Sequence, residues 1–392
     1  MQPRNPIPHV NLGNTFLDEG DAIAARAHFE EALALDATLA EAHQGMSYVF
    51  ARLGDEEAAA PHRQLGFRER AVTVFPFRGE AAPVRTTLLV SALGGNVGTG
   101  LLLDDRIFSV TRIFVDYYSQ PRLSDSDVIF NAIGDADRCE DALQRAQELV
   151  GEGATPVVNA PAAVLATQRA SVTLRCAGIP GARVPKTVIV PRAALRESPS
   201  PVLAEHGFTF PLLLRALGFH TGRYMERVAT LEELRDVAAR LPGKNLAVIE
   251  YLETRGADGN FRKYRTMLVD GRLFPLHLAV AGDWKVHYFT AGMAHATEHQ
   301  EEERRFLEHM EDTLGPSACA ALREISGRLG LDYGGIDFSL DGDGNVALFE
   351  ANATMIVPSR ETDERLAYRR PYLQTVIEAV RAMVRTRAAK SI

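Results

Sequence analysis

The chain has 392 residues, of which 46% are hydrophobic, and a formal net charge of -8 at pH 7. This length and apolar content can bury more than one core, so we expect roughly two to four domains. The mild negative charge and dispersed basic residues give no electrostatic footprint for nucleic acid. There are three distant cysteines, no apolar run of membrane-spanning length, and no signal-peptide core at the N-terminus. We therefore expect reduced thiols and a cytoplasmic protein without a membrane or nucleic-acid partner.

Residues 11–70 repeat with a period of thirty-four. The matched positions are Phe16 and Phe50, Gly20 and Gly54, Asp21 and Asp55, and Ala25 and Ala59. This period resembles a tetratricopeptide repeat, which implies an all-α helical-repeat domain over residues 1–76. Two such units cannot bury their apolar face alone. The segment is therefore either a buttress on the rest of the protein, or a self-association surface, or a docking surface for a partner protein, and the sequence leaves these alternatives open.

Beyond a linker at residues 74–83, the pattern changes to alternating strands and helices. The first buried-strand run, residues 85–93, ends in GGNVGTG, whose glycine spacing fits neither a dinucleotide-binding turn nor a phosphate loop. Asn96 and Asn131 follow strand ends and are candidates for substrate contacts. The other predicted elements of this region are strands at 107–115, 127–132 and 156–158 and a helix at 140–150.

The second half continues the mixture of strands and helices. The segment that begins at Phe261 reads as a strand, an Asp-Gly turn, a second strand and a third. The other predicted strands are residues 184–190, 210–215 and 246–252, and the predicted helices are 168–178, 299–313, 317–329 and 370–386.

The stretch at residues 331–352, LDYGGIDFSLDGDGNVALFEAN, predicts a β-hairpin closed by its DGDGN turn. Asp337 lies early in the first strand, while Glu350 and Asn352 close the second and point to the same face. Antiparallel pairing can therefore bring all three side chains to one end. Two carboxylates and an amide oxygen are ligands that a hard cation such as Mg²⁺ prefers. The sequence indicates a metal-nucleotide site here, with a solvated acidic turn as the alternative.

LGLDYGGIDF followed by FEAN resembles the metal-binding end of the ATP-grasp superfamily, which includes D-alanine:D-alanine ligase and the ribosomal-protein glutamate ligases. The resemblance implies an α/β (α+β) ATP-grasp core behind the helical repeats. A Rossmann-like domain would span 84–165, a small lid subdomain 166–245, and a metal and nucleotide subdomain 246–392. Asp337, Glu350 and Asn352 would hold Mg²⁺, or Mn²⁺ in its place, against the phosphates of ATP.

The resemblance also implies a set of nucleotide contacts. FPLLLR matches a family strand that ends in a phosphate-binding lysine, a place taken here by Arg215. The second phosphate lysine of the family falls at Arg169, with Lys186 as the alternative. An ionised Glu250 inside its apolar strand would need a hydrogen-bond donor, so we expect it to be buried against a partner. The remaining contacts implied are His220 and Thr221 in a loop over the phosphates, Glu250, Tyr251 and Leu252 at the adenine hinge, and Glu253 at the ribose.

D-alanine:D-alanine ligase carries an arginine two residues before its metal aspartate, where this chain has Gly335. In that enzyme the arginine stabilises the tetrahedral intermediate. Arg265 is our candidate for this role here, and Arg215 is the second catalytic candidate. The candidates for an acceptor site are His277, His287, His295, Thr354, Ser359 and Arg360. The function implied is ATP-dependent, ADP-forming ligation of a small-molecule or peptide carboxylate to an amine through an acylphosphate. The alternative is a catalytically weakened ATP-binding scaffold whose helical repeats bind a protein partner, which the arginine-for-lysine replacements favour.

Overall fold

A computed structural model describes residues 5–218, 222–288, 291–355, 357–358 and 361–390. The chain is a mixed α/β protein with three sheets in these residues, preceded by helices. None of the described helices combines the length and the apolarity needed to cross a membrane.

Four helices form the N-terminal segment, and the repeated residues explain their ends. Gly20 and Gly54 follow the first and third helices with positive φ, a conformation that glycine adopts without strain. Asp21 and Asp55 cap the second and fourth helices by accepting backbone N–H groups. The helices are α1 (Ile7–Glu19), α2 (Ala22–Leu35), α3 (Ala40–Leu53) and α4 (Glu56–Phe67). The assignment to the tetratricopeptide family stays a prediction.

The helical segment is packed on the first sheet. Phe67, at the end of α4, is fully buried, and its ring centroid lies 4.5 Å from that of Phe114 and 6.2 Å from that of Tyr117. The chain then enters that sheet directly, because Val72–Val74 forms an edge strand ahead of most of the predicted linker.

The first sheet has the strand order β1-β3-β2-β4-β5. Strands β2 to β5 pair in parallel, and β1 is antiparallel to β3. The predicted strands and helix are all found here, with small differences at their ends, while the Rossmann-like assignment itself stays a prediction. The elements are β1 (Val72–Val74), β2 (Val84–Val90), β3 (Phe108–Phe114), β4 (Val128–Asn131), α5 (Glu140–Val150) and β5 (Val157–Val158).

The second sheet is antiparallel, with the order β7-β10-β8-β9. Short helices precede and flank it. The elements of this region are α6 (Pro161–Leu165), α7 (Arg169–Arg175), β6 (Ala182–Arg183), β7 (Thr187–Pro191), α8 (Arg192–Glu197), α9 (Pro199–Glu205), β8 (Leu212–Ala216), β9 (Met225–Val228), α10 (Leu231–Arg240) and β10 (Asn245–Glu250).

The third sheet has the order β12-β11-β13-β14-β6 and is antiparallel except where β6 joins β14. The third strand predicted after β12 is not present in residues 282–288, which form bends, irregular chain and a turn. Gly315, with φ 80°, breaks the regular geometry inside α12. The elements are β11 (Phe261–Val269), β12 (Arg272–Ala281), α11 (Thr297–Glu308), α12 (Met310–Leu329), β13 (Tyr333–Leu340), β14 (Val346–Asn352) and α13 (Arg370–Ala389).

Candidate active site

The predicted hairpin is confirmed as β13 and β14. Asp337 lies directly opposite Glu350, and Gly335 lies opposite Asn352. Because directly opposite residues project to the same face of a sheet, the two carboxylates are neighbours. Asp337 is only 1% exposed, so its charge must be balanced by groups within the protein.

Two cations of the adjacent strand β11 hold the Asp337 carboxylate. Arg265 pairs with Asp337 across the sheet and donates from Nε to Oδ1 at 2.5 Å and from Nη2 to Oδ2 at 2.7 Å. The Lys263 Nζ lies 2.6 Å from Oδ2. Burial opposes ionisation of Asp337, but Arg265 and then Lys263 more than offset it, and the pKa of this carboxyl lies well below its usual range.

Glu350 meets cations from other parts of the fold. Arg169, the first residue of α7, donates from Nη2 to the Glu350 Oε1 at 3.0 Å, and its Nε lies 3.4 Å from the Asp137 Oδ2. Burial acts to raise the pKa of Glu350, but Arg169 and Arg215 hold it below its usual value. Arg215 comes from β8 in the second sheet, and burial and then Arg169 lower its pKa to about 10. Arg215 therefore remains a cation at neutral pH. The side chains of the site come from two sheets and one helix.

The predicted ligands fit a hard divalent cation by their donor chemistry. Asp337, Glu350 and Asn352 offer only oxygen, and a carboxylate has about four lone-pair sites, of which the contacts above use three on Asp337 and one on Glu350. The Asn352 Oδ1 accepts hydrogen bonds from the Thr354 N and Oγ1 at 3.0 and 2.8 Å, which fix the amide. No group of three His, Cys, Asp or Glu side chains among the described residues could hold a metal. A cation here would therefore need phosphate oxygens as further ligands, and it would compete with Lys263 for Asp337 and with Thr354 for the Asn352 Oδ1.

Lys186 is placed away from this cluster. Its exposed ammonium donates to the carbonyl oxygens of His206 and Gly207 at 2.8 and 3.1 Å and lies 5.4 Å from the ring centroid of Phe208. These contacts tie the lysine to the loop after α9. Of the two alternatives for the second phosphate contact, Arg169 is the one beside Glu350.

The hinge residues follow β10, and one expectation about them is wrong. Glu250 is exposed rather than buried, because it is the last residue of the strand, and its Oε2 accepts the backbone N–H of Lys186 at 3.1 Å. Glu253 is also exposed and accepts the Arg255 N–H at 3.0 Å. Tyr251 is half-buried and Leu252 is buried. His220 and Thr221 lie outside the described residues.

The acceptor candidates do not form one group. His277, opposite Arg265 in β12, is 2% exposed, and neither ring nitrogen has a hydrogen-bond partner in the part of the chain that the structure describes. Burial, and next Arg265, lower the pKa of His277 well below its usual value, so the imidazole is neutral. His287 also has a lowered pKa because of burial and then Lys263, while the Nδ1 of His295 lies 3.2 Å from the Arg365 Nη1. Ser359 and Arg360 lie outside the described residues.

Gly335, two residues before Asp337, lies where there is no room for a larger side chain. A Cβ at Gly335 would lie 2.8 Å from Cβ and Cγ of Met355, so no larger side chain fits without movement. Arg265 instead reaches Asp337 from the neighbouring strand. Asn96 and Asn131, predicted as substrate contacts, hydrogen-bond to nearby backbone groups.

Two residues of the cluster were missed by sequence reasoning. Lys263 carries a signal that could have found it, because it lies two residues from Arg265 in a strand and so shares its face. Asp137 carries none, since its approach to Arg169 depends on how the loop before α5 meets α7.

Comparisons with known proteins return similarities to solved structures alone. No family model matches it, and neither does any curated protein sequence. It is similar to the RimK domain protein ATP-grasp from Sphaerobacter thermophilus, with 18% identity, 77% of this chain and 98% of that chain covered, and a TM-score of 0.46. It is similar to the VanG D-Ala:D-Ser ligase from Enterococcus faecalis, with 12% identity, coverage of 76% and 100%, and a TM-score of 0.45. It is also similar to D-alanyl-alanine synthetase A from Vibrio cholerae, with 12% identity, 78% of this chain and 99% of that chain covered, and a TM-score of 0.47. Identities and TM-scores this low do not by themselves assign a function.

Proposed function

We propose that this chain is an ATP-dependent, ADP-forming ligase of the ATP-grasp type, which joins a carboxylate to an amine through an acylphosphate. The observation that carries the proposal is the oxygen-only ligand set of Asp337, Glu350 and Asn352 on one hairpin, placed beside Arg169, Arg215 and Arg265. Carboxylates for a cation and guanidinium groups for phosphate oxygens are the two things that binding of a metal-nucleotide requires.

The protein groups position substrates and neutralise charge. The substrate carboxylate attacks the γ-phosphorus of ATP, the bond to the bridging oxygen breaks, and ADP leaves. The amine then attacks the acyl carbon, phosphate leaves with the bonding electron pair, and the amine nitrogen loses a proton to solvent or phosphate. Arg169 and Arg215 bind and orient phosphate oxygens in this scheme, and Arg265 stabilises the negative charge of the tetrahedral intermediate. No side-chain nucleophile is needed.

Asp337, Glu350 and Asn352 would hold the divalent cation, which supplies neutralisation of phosphate charge and a template for in-line transfer. Lys263 competes with the cation for Asp337, but it can also add positive charge for the phosphates. Its ammonium lies against Asp337 and adds a fixed positive charge beside the ligand set. We infer that the chain itself thereby provides part of the charge that the nucleotide phosphates need.

One observation favours the alternative, an ATP-binding scaffold with weak or no turnover. Asp337 is bound by both Arg265 and Lys263, so a cation must displace or share these contacts. The scaffold would bind nucleotide but release no ADP.

A screen for ADP release decides between the two functions. Purified protein is given ATP, Mg²⁺ and a panel of amino acids and short peptides, and ADP is measured by a coupled assay. Sustained ADP release by a ligase requires both a carboxylate and an amine substrate, because the amine consumes the acylphosphate that forms together with ADP. Glu350→Gln should abolish this release while keeping the melting temperature, and Glu364→Gln, an exposed site paired with Arg370, serves as the matched control. Unchanged ADP release by Glu350→Gln would contradict the ligand assignment.

A further inference from the structure

A cavity lies between the helical segment and the first sheet, and Asn96, a candidate substrate contact, is among the residues that line it. Its volume is about 670 Å³, within the range of small-molecule sites. Tyr48 of α3 lines one side, the even-numbered residues of β3 line the floor, and Arg381 of α13 lines another side. None of the residues assigned above to nucleotide or metal binding lines this cavity.

Arg112 is the unusual residue of the cavity. It belongs to β3, and its guanidinium carbon lies 5.1 Å from the ring centroid of Phe75 and 4.9 Å from that of Phe114. Its Nε is buried and has no hydrogen-bond partner among the described residues. Burial lowers the pKa of Arg112 below its usual value, which is the sign of a cation whose lost hydration is not repaid by a partner.

The acidic side chains that line the cavity do not neutralise Arg112. Asp105 pairs with Arg78 at 2.6 Å, and Asp104 pairs with Arg381 at 3.1 Å. Within the described residues, Arg112 forms no ion pair, so the cavity keeps an excess of positive charge. Arg112 is half-buried, and a cation that has lost hydration without gaining an ion-pair partner is stabilised when an anion enters and pairs with it.

The walls around Arg112 are apolar and aromatic. Phe108, Val97 and Leu103 are buried residues that line the same cavity. The rings of Phe75 and Phe114 lie beside the guanidinium, and its unpaired Nε together with a neighbouring N–H group can offer a planar carboxylate a two-point contact. Tyr48 contributes a hydroxyl group whose pKa burial raises to about 12, and which therefore stays a neutral donor.

We propose that this cavity binds an organic carboxylate with an aromatic or branched apolar body, the carboxylate on Arg112 and the body against Phe108, Val97 and Leu103. Tyr48 lies on α3, Phe108 and Arg112 lie on β3, and Val97 and Leu103 lie in the loop between β2 and β3, so the ligand bridges the helical segment and the α/β body. This gives the helical segment a role in forming a small-molecule site.

The test is calorimetric titration of the full-length protein with 3-phenylpropionate, with the uncharged 3-phenylpropionamide as the matched probe. Saturable binding of the acid and none of the amide is expected. Arg112→Gln should weaken binding by about tenfold or more, since a charge-assisted two-point contact is lost. Arg272→Gln removes an exposed arginine that stacks on Phe274 elsewhere and should leave binding unchanged.

A second variant keeps the proposal testable if Arg112→Gln does not fold. Gly100 lines the cavity, and a Cβ added there meets no atom within 4 Å, so Gly100→Leu adds bulk at the cavity wall without a clash at its first carbon. It should abolish binding at an unchanged melting temperature. No saturable binding up to about 10 mM acid, equal binding of the amide, or unchanged affinity in both variants would overturn the proposal. None of these outcomes bears on the ligase, whose ADP release is measured without this probe.

Discussion

Three neighbouring side chains at the centre of the third sheet determine one another's charge. Arg265 lies between Asp337 on β13 and His277 on β12, so one guanidinium meets a carboxylate on one side and an imidazole on the other. The carboxylate is ionised, and the imidazole is neutral because protonation would add a buried charge beside Arg265. The same arrangement makes folding stability depend on pH through His277.

His277 should make the protein sensitive to mild acid. Its folded-state pKa is lowered, so below about pH 6.5 the unfolded chain binds a proton that the folded chain does not. Stability from this group is thus present above pH 6.5 and falls by about 1.4 kcal/mol per pH unit below it. His277→Leu removes this dependence, which urea unfolding at pH 7.5 and pH 5.5 would measure.

The control for this experiment is His295→Gln. His295 is exposed, so its replacement should leave the pH dependence of the free energy of unfolding as in the wild type. If His277→Leu lost as much stability between the two pH values as the wild type, the imidazole would not be held neutral in the fold.

The sequence predicted contacts between residues that are close in the chain better than contacts between distant residues. Asp337, Glu350 and Asn352 belong to one hairpin, so a turn and a period of two were enough to place them together. Arg265 lies 72 residues from Asp337, and only the pairing of β11 with β13 brings them into contact. Glu250 was expected to be buried because its strand is apolar, but the strand ends at that residue.

A buried ion-pair cluster connects α11, strand β12 and the start of α13. Glu303 on α11 is fully buried, accepts the Leu278 N–H of β12 at 3.0 Å, and lies 2.7 Å from the Nη2 of Arg369. Arg369 immediately precedes α13 and also pairs with Glu361 at 3.1 Å. Burial outweighs these contacts at Glu303 and raises its pKa, so the carboxylate relies strongly on Arg369.

Removing Arg369 should be costly at neutral pH. Arg369→Met leaves the Glu303 charge buried without its cation, and we expect a loss of about 3 to 5 kcal/mol in the free energy of unfolding. Because the folded pKa of Glu303 lies above its unfolded value, the loss grows as pH rises through the folded pKa and is smaller at pH 5 than at pH 8. Denaturant unfolding at both pH values measures it.

Arg370→Met is the matched control. Arg370 is adjacent in sequence, and its pair with Glu364 is exposed, so no measurable loss of stability is expected. Equal losses in the two variants would show that burial of the Glu303 cluster does not matter for the fold.

The elements themselves could be predicted where periodicity is strong. Helix α5 was predicted at its observed bounds, because its apolar residues recur at helical spacing. The third strand expected near His287 was not found in residues 282–288, since an apolar alternation does not say whether a strand finds a partner. Strand β1 was missed because an alternation of apolar and polar residues cannot be recognised over three residues. Its strand conformation depends on its pairing with β3.

Across the whole molecule, the helical segment is attached to the α/β body through its C-terminal end. Phe67 belongs to the same buried cluster as residues of the first sheet and of α13. This contact supports the buttress alternative for the helical segment, while the docking of a partner protein remains a proposal. The cavity beside Tyr48 lies along the same junction.

Phe67→Ala should therefore destabilise the body as well as the helices. Emptying a fully buried phenylalanine site costs about 3 to 5 kcal/mol, and the melting temperature should fall accordingly. Leu65→Ala on the same helix, at a side chain that is 60% exposed, should have no such effect. Two separate unfolding transitions, with only the first shifted by Phe67→Ala, would contradict attachment through this residue.

The central claim is that this chain binds a metal-nucleotide through the hairpin of β13 and β14. Calorimetric titration with a non-hydrolysable ATP analogue, in Mg²⁺ and then in excess chelator, tests it most directly. We predict binding that is strengthened by Mg²⁺ in the wild type and in Glu364→Gln, and that loses this strengthening in Glu350→Gln. Absence of nucleotide binding, or binding of equal strength with and without Mg²⁺ in the wild type, would contradict the account.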